Sequence, residues 1–194
     1  MVGPSGADRD SAPDAPVTTR RGVLLAGAVL LAGCTASTKR TVTASVPATL
    51  TRADAQVLAP ALAAENKGLV AYAAAIPLLK KGPAADLASH ALGQELDHAQ
   101  ALSAMIQQAG GHASNIRPSY DFGRPRDSAD ALRLLHDVER WQVSAYLDAI
   151  PRLSPGPARA TVAAIFANDA QHLALIRQAL GLEPLTQPFP TGSE

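Results

Sequence analysis

Residues 64–106 and 138–180 are two copies of one segment, related by a shift of 74 positions that needs no gap. Under that shift Glu65 falls on Glu139, Tyr72 on Tyr146, Ile76-Pro77 on Ile150-Pro151, Gly82-Pro83-Ala84 on Gly156-Pro157-Ala158, and His98 on His172. Glu95 falls on Asp169, an acid on an acid. Each copy reads as two apolar-periodic stretches separated by Gly-Pro, which is the pattern of a helical hairpin. Neither hairpin can bury its apolar faces alone, so the pair predicts a four-helix bundle with a pseudo-two-fold axis.

The first helix begins near Thr51, with Asp54 three residues on as a capping-box-like pair, and runs to about Lys80. Pro60 and Pro77 either kink it or mark its ends, and Lys80-Lys81 suit a solvated helix C-terminus. The second helix spans roughly 84–109 and stops at Gly110-Gly111. The third starts at Ser128, beside Asp127, and runs to about Leu153; Ser154-Pro155-Gly156-Pro157 then turns the chain into a fourth helix over roughly 158–180, ended by Gly181. The short connections make each hairpin antiparallel. The connection 110–127 is different. A helix of about 26 residues is roughly 39 Å long, and some 17 extended residues reach roughly 56–60 Å. The segment can therefore run the length of the bundle and set the third helix parallel to the second. A plain up-and-down bundle, which needs only a few residues there, is the alternative.

Read in steps of three and four, the apolar stripes are Leu58, Leu62, Glu65, Leu69, Tyr72, Ile76; Ala88, Ala91, Glu95, His98, Leu102, Met105; Leu132, Leu135, Glu139, Gln142, Tyr146, Ile150; and Val162, Ile165, Asp169, His172, Ile176, Ala179. Every stripe has an acid at its middle, and the second and fourth add a His one turn on, on the same face. An uncompensated buried carboxylate costs several kcal/mol, and no Lys or Arg lies on these stripes near that level. Either the acids are protonated or cations neutralise them. Two divalent ions, about +4, balance four carboxylates at about −4 with both imidazoles neutral.

Glu65, then Glu95-x-x-His98, then Glu139, then Asp169-x-x-His172 resembles the ligand set of ferritin-like di-iron carboxylate proteins, the bacterioferritins and rubrerythrins above all. The resemblance covers residues 51–182 and is greatest to small exported ferritin-like proteins of bacteria. It implies an all-α fold, a ferritin-like four-helix bundle with a long crossover between the second and third helices. It also implies a metal centre ligated by Glu65, Glu95, His98, Glu139, Asp169 and His172, with one His on each metal. Which carboxylates bridge is left open. Tyr72 and Tyr146, two turns beyond Glu65 and Glu139, either hydrogen-bond the site carboxylates from behind or simply pack in the core. Asp169 departs from the pattern: it stands where the motif has Glu, is one methylene shorter, and raises the expectation of two unequal metal positions.

The donor set suits two Fe ions, with Mn the alternative. The implied activity is oxidation of Fe(II) or reduction of peroxide or dioxygen. The rivals are a manganese catalase-like peroxide dismutase and a non-enzymatic scaffold or envelope-interaction module with a structural or vestigial metal site. His90, His112 and His136 are expected to face solvent, and Trp141, adjacent to the third stripe, to pack structurally.

Thr19-Arg20-Arg21 followed by an apolar run from Gly22 to Gly33 is too short to span a membrane, for which about 20 residues are needed, and resembles a twin-arginine export signal over residues 1–33. Leu31-Ala32-Gly33-Cys34 resembles a bacterial lipobox, which makes Cys34 the expected lipidation site and the protein a lipid-anchored one on the extracytoplasmic face of the cell membrane. As the one cysteine in the chain, Cys34 excludes an intramolecular disulfide or a multi-thiolate metal site. Residues 34–50 have the composition of a flexible tether, and 183–194, with Pro184, Pro188 and Pro190, that of an irregular tail. No fifth helix is expected after Gly181, which favours a membrane-tethered monomer or homodimer over a storage cage. A formal net charge of +0 with no basic run excludes nucleic acid as the expected partner.

Overall fold

The computed structural model describes residues 49–117, 119–154 and 156–194. The export signal over 1–33, the lipidation of Cys34 and the tether up to residue 48 lie outside the described residues. Among those described there are four α-helices and no strand: α1 (Arg52–Ala75), α2 (Pro83–Gln108), α3 (Ser128–Arg152) and α4 (Pro157–Ala179). None of these helices is long and apolar enough to cross a membrane.

Local chemistry sets the helix ends. Thr51 caps α1 in a reciprocal capping box with Asp54. Pro60 is inside α1 on its exposed face, where the carbonyl that loses its donor can turn to water. Pro77 acts more strongly: α1 stops at Ala75, short of the expected end near Lys80, and the chain tightens into a 3-10 turn over Ile76–Leu78. The Asp127 side chain caps α3 through Asp130 N at 2.9 Å. Gly82 and Gly156, equivalent in the repeat, precede α2 and α4 at φ 141° and 142°, a conformation open to glycine. Each is followed by Pro at the first helical position, so the two hairpins turn alike.

Hydrogen bonds across the bundle fix the helix directions. The pairs Tyr72–Glu139 and Tyr146–Glu65 run in opposite senses along α1 and α3, so those helices are antiparallel. Because α1 and α2 are antiparallel as a hairpin, α2 and α3 are parallel, and the up-and-down alternative is excluded. α1 packs on α2 and α3, and α4 packs on α3 and, more thinly, on α2. The two diagonals are α1–α4 and α2–α3. The crossover that joins the second diagonal runs along α1. Gly111 lies against Ala55, the Asn66 amide donates to Ser114 O at 3.2 Å, and Ser128 Oγ donates to Leu78 O at 2.9 Å. At the opposite end Asp54 Oδ1 accepts from Ser154 N at 2.7 Å and ties α1 to the α3–α4 turn.

The apolar core is divided into two parts. One holds Leu58, Leu62, Leu102, Ile106, Leu153 and Val162; the other holds Leu79, Ala88, Ala91, Leu132, Leu135 and Ile176. A polar layer lies between them, built from the middle of every helix. The stripes read from the sequence are buried except near their ends, where Ile76 and Ile150 are half-buried and Ala179 is exposed.

Candidate metal centre

The polar layer contains Glu65 from α1, Glu95 and His98 from α2, Glu139 from α3, and Asp169 and His172 from α4. The four acids are 0% exposed, His172 is 3% and His98 9%. All six side chains, named from the sequence as metal ligands, thus come together at one level. Their ligand atoms form two overlapping groups, each with members within 4.8 Å of one another: Glu95, Glu139, Asp169 and His172, and Glu65, His98 and Asp169. Asp169 belongs to both. His98 Nδ1 lies 3.2 Å from Asp169 Oδ1 and 3.8 Å from both Glu65 Oε2 and Glu95 Oε1. His172 Nδ1 lies 3.2 Å from Glu95 Oε1 and 3.4 Å from Glu139 Oε1. The two imidazoles stack with centroids 6.3 Å apart.

Both tyrosines reach carboxylates from across the α1–α3 interface: Tyr72 donates to Glu139 Oε1 and Tyr146 to Glu65 Oε1. Burial first, and then the facing carboxylates, hold both phenols well above their ordinary pKa, so they stay protonated as donors.

Burial and mutual repulsion govern the acids. Glu65 is held well above the usual carboxylate range by burial and then by the charge of Glu95. Asp169 is raised by burial and then by Glu65, Glu139 and Glu95. Glu139 is pushed up to about 7, again by burial first and by Glu95 next. Burial works on Glu95 in the same sense, but hydrogen bonds from His172, Glu65 and Gln142 outweigh it, and its pKa is lowered. Burial lowers His172, yet hydrogen bonds to Glu139 and Glu95 prevail and raise it to about 9. His98 is lowered, chiefly by burial. Without metal, burial and mutual repulsion thus favour the neutral forms of Glu65, Asp169 and Glu139, while the contact with His172 favours the charged form of Glu95.

The donor set fits a pair of divalent cations. Glu139 Oε2, both Asp169 oxygens and His98 Nδ1 are buried without hydrogen-bond partners. They converge on the two groups just described. Unpaired buried acceptors are expensive, whereas a hard-to-borderline cation satisfies several at once. Cation entry would displace the carboxyl protons, coupling binding to proton release.

Four contributors to this layer were not singled out from the sequence as functional. The Gln94 carbonyl oxygen lies 2.8 Å from His172 Nε2, which assigns the proton to Nε2 and leaves Nδ1 to face the acids. Asn168 stands as a hydrogen-bonding side chain beside His98. Gln94 and Asn168 are themselves a pair under the 74-residue shift, each preceding its helix's acid and serving the His of the other helix. That pairing was the available signal. The others are Gln142, a polar residue on an apolar stripe, and Gly68, its equivalent in α1.

Two expectations need correction. Trp141 is 42% exposed, with Lys67 Nζ 4.4 Å from its ring centroid, because one step off the stripe turns it outward on the α1–α3 side. His136 is half-buried, not solvent-facing, with Nε2 3.3 Å from Arg177 Nη1, because Arg177 folds inward to bond Glu183 O at 2.8 Å. His90 and His112 are exposed as expected.

A family model described as a ferritin-like domain matches residues 81–182. Comparison with curated proteins gives no match. Among solved structures, the chain is similar to the crystal structure of a conserved hypothetical protein from Mycobacterium tuberculosis. The TM-score is 0.64 and the identity 24%, over 71% of this chain and 97% of that one. That likeness is one of fold.

Proposed function

This chain belongs to the ferritin-like domain family, and from that premise we propose that its buried layer holds two iron ions, manganese being the alternative, and oxidises Fe(II) or reduces peroxide or dioxygen. The observation that carries the reading is the set of four wholly buried acids whose ion-pairing partners among the described residues are only the two histidines of the same layer. Such a layer is costly for a fold to keep unless cations neutralise it.

When bound, two Fe(II) ions supply one electron each, so that one peroxide and two protons become two waters. The chain's own residues prepare the place. Tyr72 and Tyr146 fix one oxygen each of Glu139 and Glu65, and Gln94 fixes the His172 ring. The apolar half-cores above and below exclude bulk water. His98, the most exposed of the six ligand candidates, marks the side from which solvent reaches the layer.

On the same reading, residues 1–34 export the chain and anchor it through lipidated Cys34 on the extracytoplasmic face of the membrane. Cell fractionation tests this part: Cys34→Ser is expected to leave the membrane fraction, and its retention there would refute the anchor. For the activity, the full-length chain is loaded anaerobically with Fe(II) and mixed with peroxide. The expected result is one peroxide consumed for every two Fe(II) oxidised, with new near-ultraviolet absorbance. Oxygen release from a manganese-loaded chain, with no turnover by iron, would favour peroxide dismutation. Failure to bind either metal would leave the scaffold reading.

A further inference from the structure

The two hairpins present equivalent polar groups to the layer at every position but one. Gly68 in α1 and Gln142 in α3 are counterparts under the 74-residue shift, each one turn beyond its helix's acid. Gln142 is wholly buried, and its Nε2 donates to Glu65 Oε2 at 3.0 Å and also to Glu95 Oε2. Gly68 makes room for this: a Cβ there would lie 2.8 Å from Gln142 Nε2 and 2.9 Å from Glu95 Oε2. Glycine in a helix interior is disfavoured by roughly 1 kcal/mol against alanine. Its presence here coincides with the amide that crosses the axis.

The consequence is an uneven distribution of lone pairs. Glu65 has both oxygens engaged, one by Tyr146 and one by Gln142. Its counterpart Glu139 is engaged by Tyr72 alone and keeps Oε2 unpaired. Glu95 has one oxygen held by Gln142, whereas both oxygens of its counterpart Asp169 are unpaired. The ligand atoms divide accordingly, four residues gathering at His172 and three at His98. The smaller group is also the one nearer solvent, since His98 is 9% exposed against 3% for His172.

We propose that Gln142 is a positioning residue that makes the two metal positions unequal. It engages Glu65 Oε2, the oxygen 3.8 Å from His98 Nδ1, and so takes a donor lone pair from the His98 position, while it also holds Glu95 Oε2. The ion beside His172 is then held firmly and the ion beside His98 weakly, in exchange with solvent. The proposal rests on the two-metal reading of the layer, and it makes the His98 position the one through which substrate Fe(II) enters.

The test is an anaerobic calorimetric titration of the full-length metal-free chain with Fe(II) alone, for the wild type, Gln142→Ala and Gln142→Met. Methionine keeps the volume and removes the donors, and circular dichroism confirms that each variant is folded. The wild type is expected to bind in two steps, the second about tenfold or more weaker. In both variants the second step tightens toward the first and closes most of the gap that separates them in the wild type, while the first shifts little. A general loss of packing would weaken both steps alike. A second ion that appears only in the variants also supports the assignment. Equal steps in the wild type, a single ion in all three proteins, or a second step unmoved or weakened in both variants would overturn it and leave the metal centre standing. No Fe(II) binding by the wild type overturns both.

Discussion

Replacing Glu139 by Gln should stabilise the metal-free protein at pH 8 and leave it nearly unchanged at pH 4. Glu139 is 0% exposed, and burial followed by the charge of Glu95 pushes its pKa from 4.5 to about 7. In the unfolded chain the group ionises near 4.5; in the fold it keeps its proton until about 7. The folded state thus binds the extra proton across this window, and stability is full below 4.5 and is lost as pH rises through 7. The gap corresponds to about 3 kcal/mol at pH 8. Glutamine mimics the protonated form, since its carbonyl oxygen can still accept from Tyr72, and it has no proton to lose. At roughly 2–4 °C per kcal/mol for a domain of this size, the variant should melt roughly 6–12 °C above wild type at pH 8 in chelator. Glu65 and Asp169, also raised, and His172, raised to about 9, lower wild-type stability in the same direction with rising pH, whereas Glu95 and His98, both lowered, act oppositely. Comparing the two proteins at each pH cancels the groups that Glu139 does not touch and leaves Glu139 together with its coupling to His172. The assay is thermal unfolding by circular dichroism. A variant no more stable than wild type at pH 8, or one equally stabilised at pH 4, would refute the reasoning. With Fe(II) present the order should reverse, because the variant lacks one charged ligand.

Asp54 gives the opposite pH signature. Burial would raise it, but hydrogen bonds from Ser154 and Thr51 prevail and hold it at about 2, so its contribution is present above 3.8 and is lost as pH falls through 2. Asp54→Asn should cost about 2 kcal/mol at pH 6, the size of the gap between 3.8 and about 2, and only a small part of that at pH 2, as read by urea denaturation. Gly68→Ala and Gly93→Ala should differ in sign. A Cβ at Gly93 meets nothing within 4 Å, so helix propensity alone should stabilise by roughly 0.5–1 kcal/mol, whereas at Gly68 it meets Gln142 and Glu95 at under 3 Å and should destabilise. Equal melting shifts in the two variants would count against the close approach of Gln142. Gln94→Leu removes the acceptor of His172 Nε2 and should weaken Fe(II) binding by roughly 10- to 100-fold, measured by competition with a chelator; unchanged affinity would show that the ring is held by other means.

The bundle was legible because its signals are additive. The gapless repeat, the three-and-four spacing of apolar residues and the reach of residues 110–127 all point to one topology, and the helix directions found here agree with it. The depth of Glu65, Glu95, Glu139 and Asp169 followed from the same spacing, since each lies mid-stripe. Contacts that depend on how one helix is rotated against another were not legible. Gln142 sits on its stripe, but that its amide crosses toward Glu65 depends on the missing Cβ of Gly68 on a different helix. Gln94 and Asn168 flank their stripes and serve histidines of the opposite helix, a relation no single-helix pattern contains. Trp141 and His136 show the same limit: each lies at the edge of its helix's apolar face, where the neighbouring helix or tail decides between water and burial. The end of α1 was misplaced for a local reason, the choice at Pro77 between a kink and a stop.

The central claim is that the acids at the middle of the bundle are there to hold two cations. Equilibrium dialysis of the full-length chain against anaerobic Fe(II), followed by metal analysis, tests it most directly when run beside a Glu95→Ala/Asp169→Ala double variant. Two irons per wild-type chain at saturation, and none retained by the variant, is the predicted result. A folded wild-type chain that takes up no more iron than the variant would contradict it.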